Sequence, residues 1–90
     1  MLQAMRDMVI VKPVYEEHRG NIVIPKSAKQ FKQYHGSVIG IVVSVGPKYL
    51  YELKAGDRVI WRRHEGKKVY ENRELYFALK EKWVEAKLED

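Results

Sequence analysis

The sequence contains no cysteine, which excludes a disulfide framework, a thiolate metal site and a thiol nucleophile. No apolar run approaches the length of a membrane span, and Met1 to Asp7 lacks the apolar core of a secretory leader. The expected compartment is therefore the cytoplasm, with no membrane partner. The six glycines are dispersed, so there is no Gly-rich phosphate cradle, and Gly-x-Ser-x-Gly is missing too. His18, His35 and His64 stand far apart among Lys, Arg, Glu and Gln, without metal-ligand spacing. Glu16, Glu17, Glu71 and Glu74 supply carboxylates, but no pattern sets them beside a shielded cleft. Neither an enzyme nor a bound metal or cofactor is expected.

What is present fits one small domain, residues 1–90, of a size often helped by oligomerisation. Hydrophobic residues make up 46% and charged residues 32%, as in an ordinary folded chain. Lys plus Arg number 17 against 12 Asp plus Glu, a net charge of +5, which leaves an acidic partner or nucleic acid open. The excess is spread along the chain apart from Arg62-Arg63-His64 with Lys67-Lys68, a cluster that reads as a solvated turn.

One stretch is apolar where its surroundings are wet. Gly20-Asn21-Ile22-Val23-Ile24-Pro25 lies between Glu16-Glu17-His18-Arg19 and a run holding Lys26, Ser27, Lys29, Gln30, Lys32 and Gln33. Gly20 permits positive φ and Pro25 has no amide donor, so both edges resist a longer element. The triplet is either a short edge strand folded onto the core or an apolar bait on a mobile arm. From Val14 to about Ser37 the remaining apolar residues are few, chiefly Phe31 and Tyr34. A connection of that length is usually functional or disordered.

Around this stretch the chain reads as short strands. Met8 to Pro13 is a β-branched run closed by proline, with Val9 and Val11 on one face and Met8 and Ile10 on the other, both faces covered. Val38 to Gly46 is the most strongly β-forming segment, and Gly40 within it suggests a bulge or sharp bend. Lys54-Ala55-Gly56-Asp57 is a turn into the strand Arg58 to Trp61, with Gly56 in a special backbone conformation and Asp57 bonding nearby amides. Glu65 to Glu74 reads as turn, strand, turn. In the last segment Leu75, Leu79, Trp83 and Ala86 recur at helical spacing, and pattern alone makes Glu74 to Glu89 a helix.

The Gly-Asn-Ile-Val-Ile-Pro stretch resembles the mobile loop of GroES-type co-chaperonins, the chaperonin 10 family. Asp7 with Val9 to Lys12, Gly40 to Gly46, and Ala55-Gly56-Asp57-Arg58 leading into Val59-Ile60-Trp61 resemble that family's strands in the same order. The resemblance spans nearly the whole chain and implies an all-β fold: a small GroES-like β-barrel with a mobile loop over about 14–36. The connection after Gly46 is shorter than in the bacterial type, which implies a reduced roof hairpin. The resemblance replaces the helix with a strand at Tyr76 to Leu79, a turn at Lys80 to Lys82 and a terminal strand at Trp83 to Leu88. It also implies that the N- and C-terminal strands pair between subunits, through Val9, Ile10, Val11, Trp83, Val84, Ala86 and Leu88. Lys87 stands where the family has an aliphatic residue.

Two functions follow. The resemblance implies a co-chaperonin, a homo-oligomer of seven subunits whose Gly20, Asn21, Ile22, Val23, Ile24 and Pro25 dock into a large chaperonin ring of the GroEL type and close its folding chamber around an unfolded client. ATP and magnesium belong to that partner, and this chain carries no cofactor. The alternative is a small basic β-barrel that binds nucleic acid, with Arg62, Arg63, Lys67 and Lys68 on phosphates and Trp61, Tyr70 or Tyr49 stacking on bases. That alternative leaves the Ile-Val-Ile triplet without a purpose.

Overall fold

A computed structural model describes residues 2–15, 18–19, 22–23, 31, 33–34, 36–49 and 52–88. The strands are β1 (Met8–Pro13), β2 (His18–Arg19), β3 (Ile22–Val23), β4 (Gln33–Tyr34), β5 (Ser37–Val45), β6 (Arg58–Arg62), β7 (Lys67–Glu71), β8 (Glu74–Lys80) and β9 (Val84–Leu88), with a 3-10 turn at Glu81–Trp83. The main sheet is antiparallel in the order β7-β8-β1-β5-β6-β9, and β4 pairs with the start of β5. Among the described strands, β2 and β3 pair only with each other.

The main sheet curls on itself. On a flat sheet β8 and β6, with β1 and β5 between them, would lie three strand spacings apart, or about 14 Å. Yet Phe77 of β8 and Trp61 of β6 meet with ring centroids 5.3 Å apart. Two register shifts help the sheet bend, because an extra residue on one strand increases the local twist. Ile10 pairs with Ser44 and Val11 with Val42, leaving Val43 as the extra residue. Ile60 pairs with Ala86 and Trp61 with Val84, leaving Glu85. Glu85 uses that place to accept a 2.6 Å hydrogen bond from the buried Ser37 hydroxyl.

Strand alternation sends Val9 and Val11, Val38 and Val42, Val59 and Trp61, and Phe77 and Leu79 into one cluster, all 2% exposed or less. Ile10, Ile39 and Ile60, on the opposite faces of their strands, are buried as well. Both faces of β1 are thus covered, as its sequence implied. Gly40 is not the bulge that its position suggested; the shift in β5 falls at Val43. Gly40 is required instead by the close approach of Trp61, whose ring occupies the space a side chain would need.

The C-terminal segment is two strands and a turn, not the helix its periodicity suggested. Leu75, Phe77 and Leu79 alternate toward the core while β8 takes main-chain bonds from β1 and β7. A helix would have satisfied its own backbone but left both neighbouring edges open, and tertiary pairing overrides propensity here. Between β5 and β6 no strand occurs among the described residues of 46–57, in keeping with a shortened roof. Gly56 has φ +98° and its amide bonds to the Val42 carbonyl, so the turn is clasped to β5.

Candidate functional site

The polar connection after β1 leaves the sheet at a definite point. The Val14 amide still donates to the Ile39 carbonyl at 3.0 Å. Tyr15 then bridges Phe31, with ring centroids 5.3 Å apart. Phe31 in turn meets Phe77 edge-on at 5.8 Å, and the Arg63 guanidinium lies 5.9 Å from the Phe31 centroid. Tyr15, Phe31, Phe77 and Trp61 therefore form a continuous aromatic run from the foot of the connection to the centre of the core. Beyond Phe31 the chain rejoins the sheet as β4, where Gln33 pairs with Val38 and Tyr34 with Ser37.

Residues 16–30 lie in sequence between the two bridged residues. Residues 33–34, inside the loop that the sequence placed at about 14–36, belong to the sheet. Within 16–30 the described backbone is the small hairpin: His18 pairs with Val23 and Arg19 with Ile22. Two residues, Gly20 and Asn21, separate the paired Arg19 and Ile22 in sequence. Gly-Asn between two strand ends is a recognised hairpin signal, readable from the sequence alone. Ile22 and Val23 are thus backbone-paired, whereas Gly20, Asn21, Ile24 and Pro25 lie outside the described residues.

The residues assigned to subunit contact separate into two groups. Val9, Ile10 and Val11 lie in a central strand with β5 on one edge and β8 on the other, and all three are buried in their own chain. Their main-chain groups are committed, so a neighbour's strand cannot pair there without displacing β5 or β8. β9 is different, since among the described strands only β6 pairs with it. On β9, Val84 and Leu88 are half-buried and Ala86 is exposed. Trp83 belongs to the preceding 3-10 turn and packs on the core, with the Lys80 ammonium 5.2 Å from its ring. An open cleft of about 390 Å³ runs beside β9, lined by Tyr49, Leu53, Val84 and Ala86 among others.

Lys87 has a role within the chain. Its ammonium reaches Asp57 Oδ2 at 3.3 Å, and the same oxygen accepts the Lys54 amide at 3.0 Å. The amide bond first and the Lys87 ammonium next hold the Asp57 carboxyl below its ordinary range. The β9 strand is thereby tied to the turn before β6. On the outer face of the sheet, Lys12 and Glu74 pair at 2.9 Å and the Tyr76 hydroxyl donates to Glu74 at 3.2 Å. The Lys12 bond, then the Tyr76 bond, lower the Glu74 pKa, and Glu74 raises that of Lys12.

Trp61 is 0% exposed, so it is not a platform on which a base can stack. Tyr70 is 68% exposed on β7, the strand that also carries Lys67 and Lys68, whereas Arg63 lies over the Phe31 ring. No group of three or more His, Asp or Glu side chains among the described residues could hold a metal ion. Among those residues no helix is long and apolar enough to cross a membrane.

Comparison with known proteins converges on one family. The family model described as the chaperonin 10 kDa subunit matches residues 1–88. A protein named co-chaperonin GroES from Wolbachia pipientis wMel is 37% identical over 84 residues, covering 89% of this chain and 86% of its own. Proteins of the same name from Bacillus velezensis and Desulfatibacillum aliphaticivorans are 35% and 33% identical, over 90% and 89% of this chain and 92% and 90% of theirs.

Proposed function

This chain belongs to the chaperonin 10 family and functions as a co-chaperonin, and from that premise we propose that it caps an ATP-bound large chaperonin ring of the GroEL type by docking Ile22, Val23 and Ile24 into apolar grooves. The observation that supports this reading is the separation of the β2–β3 hairpin from the main sheet, above a foot closed by Tyr15 and Phe31. Among the described strands, β2 and β3 pair with each other and with no strand of the main sheet. In this reading the charged residues that flank the triplet in sequence keep the arm soluble when undocked.

Each buried Ile contributes roughly 1.5–3 kcal/mol, against about 1–2 kcal/mol of backbone entropy for every residue ordered. One arm binds weakly; several on one ring bind together through effective concentration and still release when the partner changes state. The ring, seven-fold in this reading, closes through the unpaired edge of β9. Its partner is the N-terminal region of the neighbouring subunit, where Met5 is 65% exposed. The partner supplies ATP hydrolysis and its magnesium; this chain holds no cofactor, catalyses no reaction and works in the cytoplasm.

Nucleotide-dependent co-elution with a large chaperonin ring tests this function. Capture that needs ATP and is lost in Ile24→Asp is expected, because a carboxylate does not enter an apolar groove cheaply. Normal capture of that variant would remove the arm from the mechanism.

A further inference from the structure

We propose that Phe31 is a positioning residue for capping: with Tyr15 it clamps the foot of the arm onto the core and thereby sets the free length over which the docking triplet can search. The proposal rests on the docking function given above and deepens it.

Phe31 lies in an otherwise polar stretch, yet it makes three contacts that a linker residue would not. Tyr15 covers it from the outgoing strand, Phe77 receives its ring edge from the core side, and the Arg63 guanidinium stands over it from the turn after β6. Aromatic pairs of this geometry add to ordinary burial, and a cation over the ring adds further. The clamp therefore draws on three separate parts of the chain, and each end of the arm is held by the other.

The length it sets follows from the fixed points on either side. With Tyr15 joined to Phe31, the arm comprises residues 16–30, fifteen residues. Without the clamp, the next anchors are Val14, bonded to Ile39, and Gln33, paired with Val38 in β4, which leaves residues 15–32, eighteen residues. Effective concentration falls as about the −3/2 power of tether length, so this change weakens each arm's docking about 1.3-fold. Over the seven arms of the proposed ring the factors multiply to roughly sevenfold.

The test compares wild type, Phe31→Ala, Tyr15→Ala and the double variant in assembled rings. Hydrogen exchange is followed on peptides covering Val14 to Tyr15 and Phe31, and ATP-dependent capping is titrated with the chaperonin ring. Faster exchange at both peptides, with the rest of the sheet unchanged, is expected in either single variant, together with capping weakened roughly sevenfold. The double variant should be no weaker than the singles, and Phe31→Tyr should cap as wild type does. Tyr15 is 36% exposed, so Tyr15→Ala spares the core and answers the question even if Phe31→Ala fails to fold. Unchanged exchange, or an opened foot with capping at full strength, would overturn the proposal. Capping weakened behind a closed foot would also overturn it, since Phe31 would then act by direct contact. The Ile24→Asp ring run alongside separates the two readings: if it caps normally, the docking arm fails, while the exchange data still report whether the clamp exists.

Discussion

Gly40 faces the indole of Trp61 so closely that a Cβ at position 40 would stand 2.5 Å from its Cζ3 and 2.6 Å from its Cη2. The ring cannot retreat, because Phe77 lies against it at 5.3 Å. Gly40→Ala is therefore expected to lower stability by about 1–3 kcal/mol through overpacking. Denaturant unfolding at fixed protomer concentration measures this, and a loss under about 0.5 kcal/mol would show that the core yields more than its packing implies.

The β7–β8 turn offers a change of opposite sign. Asn72 and Arg73 have φ of +50° and +67°, between the paired Glu71 and Glu74. A two-residue turn with both φ positive favours Asn followed by Gly, and Arg pays for its Cβ there. Arg73→Gly should raise stability by roughly 0.5 kcal/mol, the steric relief outweighing the entropy of the freer unfolded chain. A lower melting temperature than wild type would contradict that balance.

Acid should weaken the protein through two identified carboxylates. Asp57 and Glu74 both titrate below their ordinary values of 3.8 and 4.5, held by the Lys54 amide with Lys87, and by Lys12 with Tyr76. A depressed carboxylate contributes stability that is present above its unfolded pKa and lost as pH falls through its folded pKa. The decline should thus begin below about pH 4.5 and continue below 3.8. In the Asp57→Asn, Glu74→Gln double variant the unfolding midpoint should fall less steeply over that window, and an unchanged slope would assign acid sensitivity elsewhere.

Assembly should depend on β9 more than the protomer does. Ala86 is exposed in the single chain, so Ala86→Asp should cost the protomer no more than about 0.5 kcal/mol. At the sheet edge proposed for subunit contact, a carboxylate in the same place should dissociate the ring. Sedimentation at several concentrations distinguishes these, and an intact ring would move the contact away from β9.

Much of the chain was readable in one dimension. The β-branched runs at Met8 to Pro13 and Val38 to Val45, and the turn at Gly56-Asp57, fell where local chemistry put them. The apolar triplet stood out against its polar flanks without any structure. Leu75, Phe77 and Leu79 also alternate with period two, a signal masked by the helical spacing of Leu75, Leu79 and Trp83. The resemblance to the family resolved that ambiguity because strand order along the chain carries more information than one periodicity.

Family and all-β class were determined by the sequence itself, through residue type, spacing and order. Only the tertiary structure decided that Val9 to Val11 have both edges committed, that Gly40 serves Trp61, that Lys87 answers Asp57 and that Phe31 closes the arm on Phe77. These are relations between residues far apart in the chain, and they arise where a curling sheet brings non-adjacent strands face to face. Local pattern encodes which residues seek burial; the closure of the sheet chooses which of them meet.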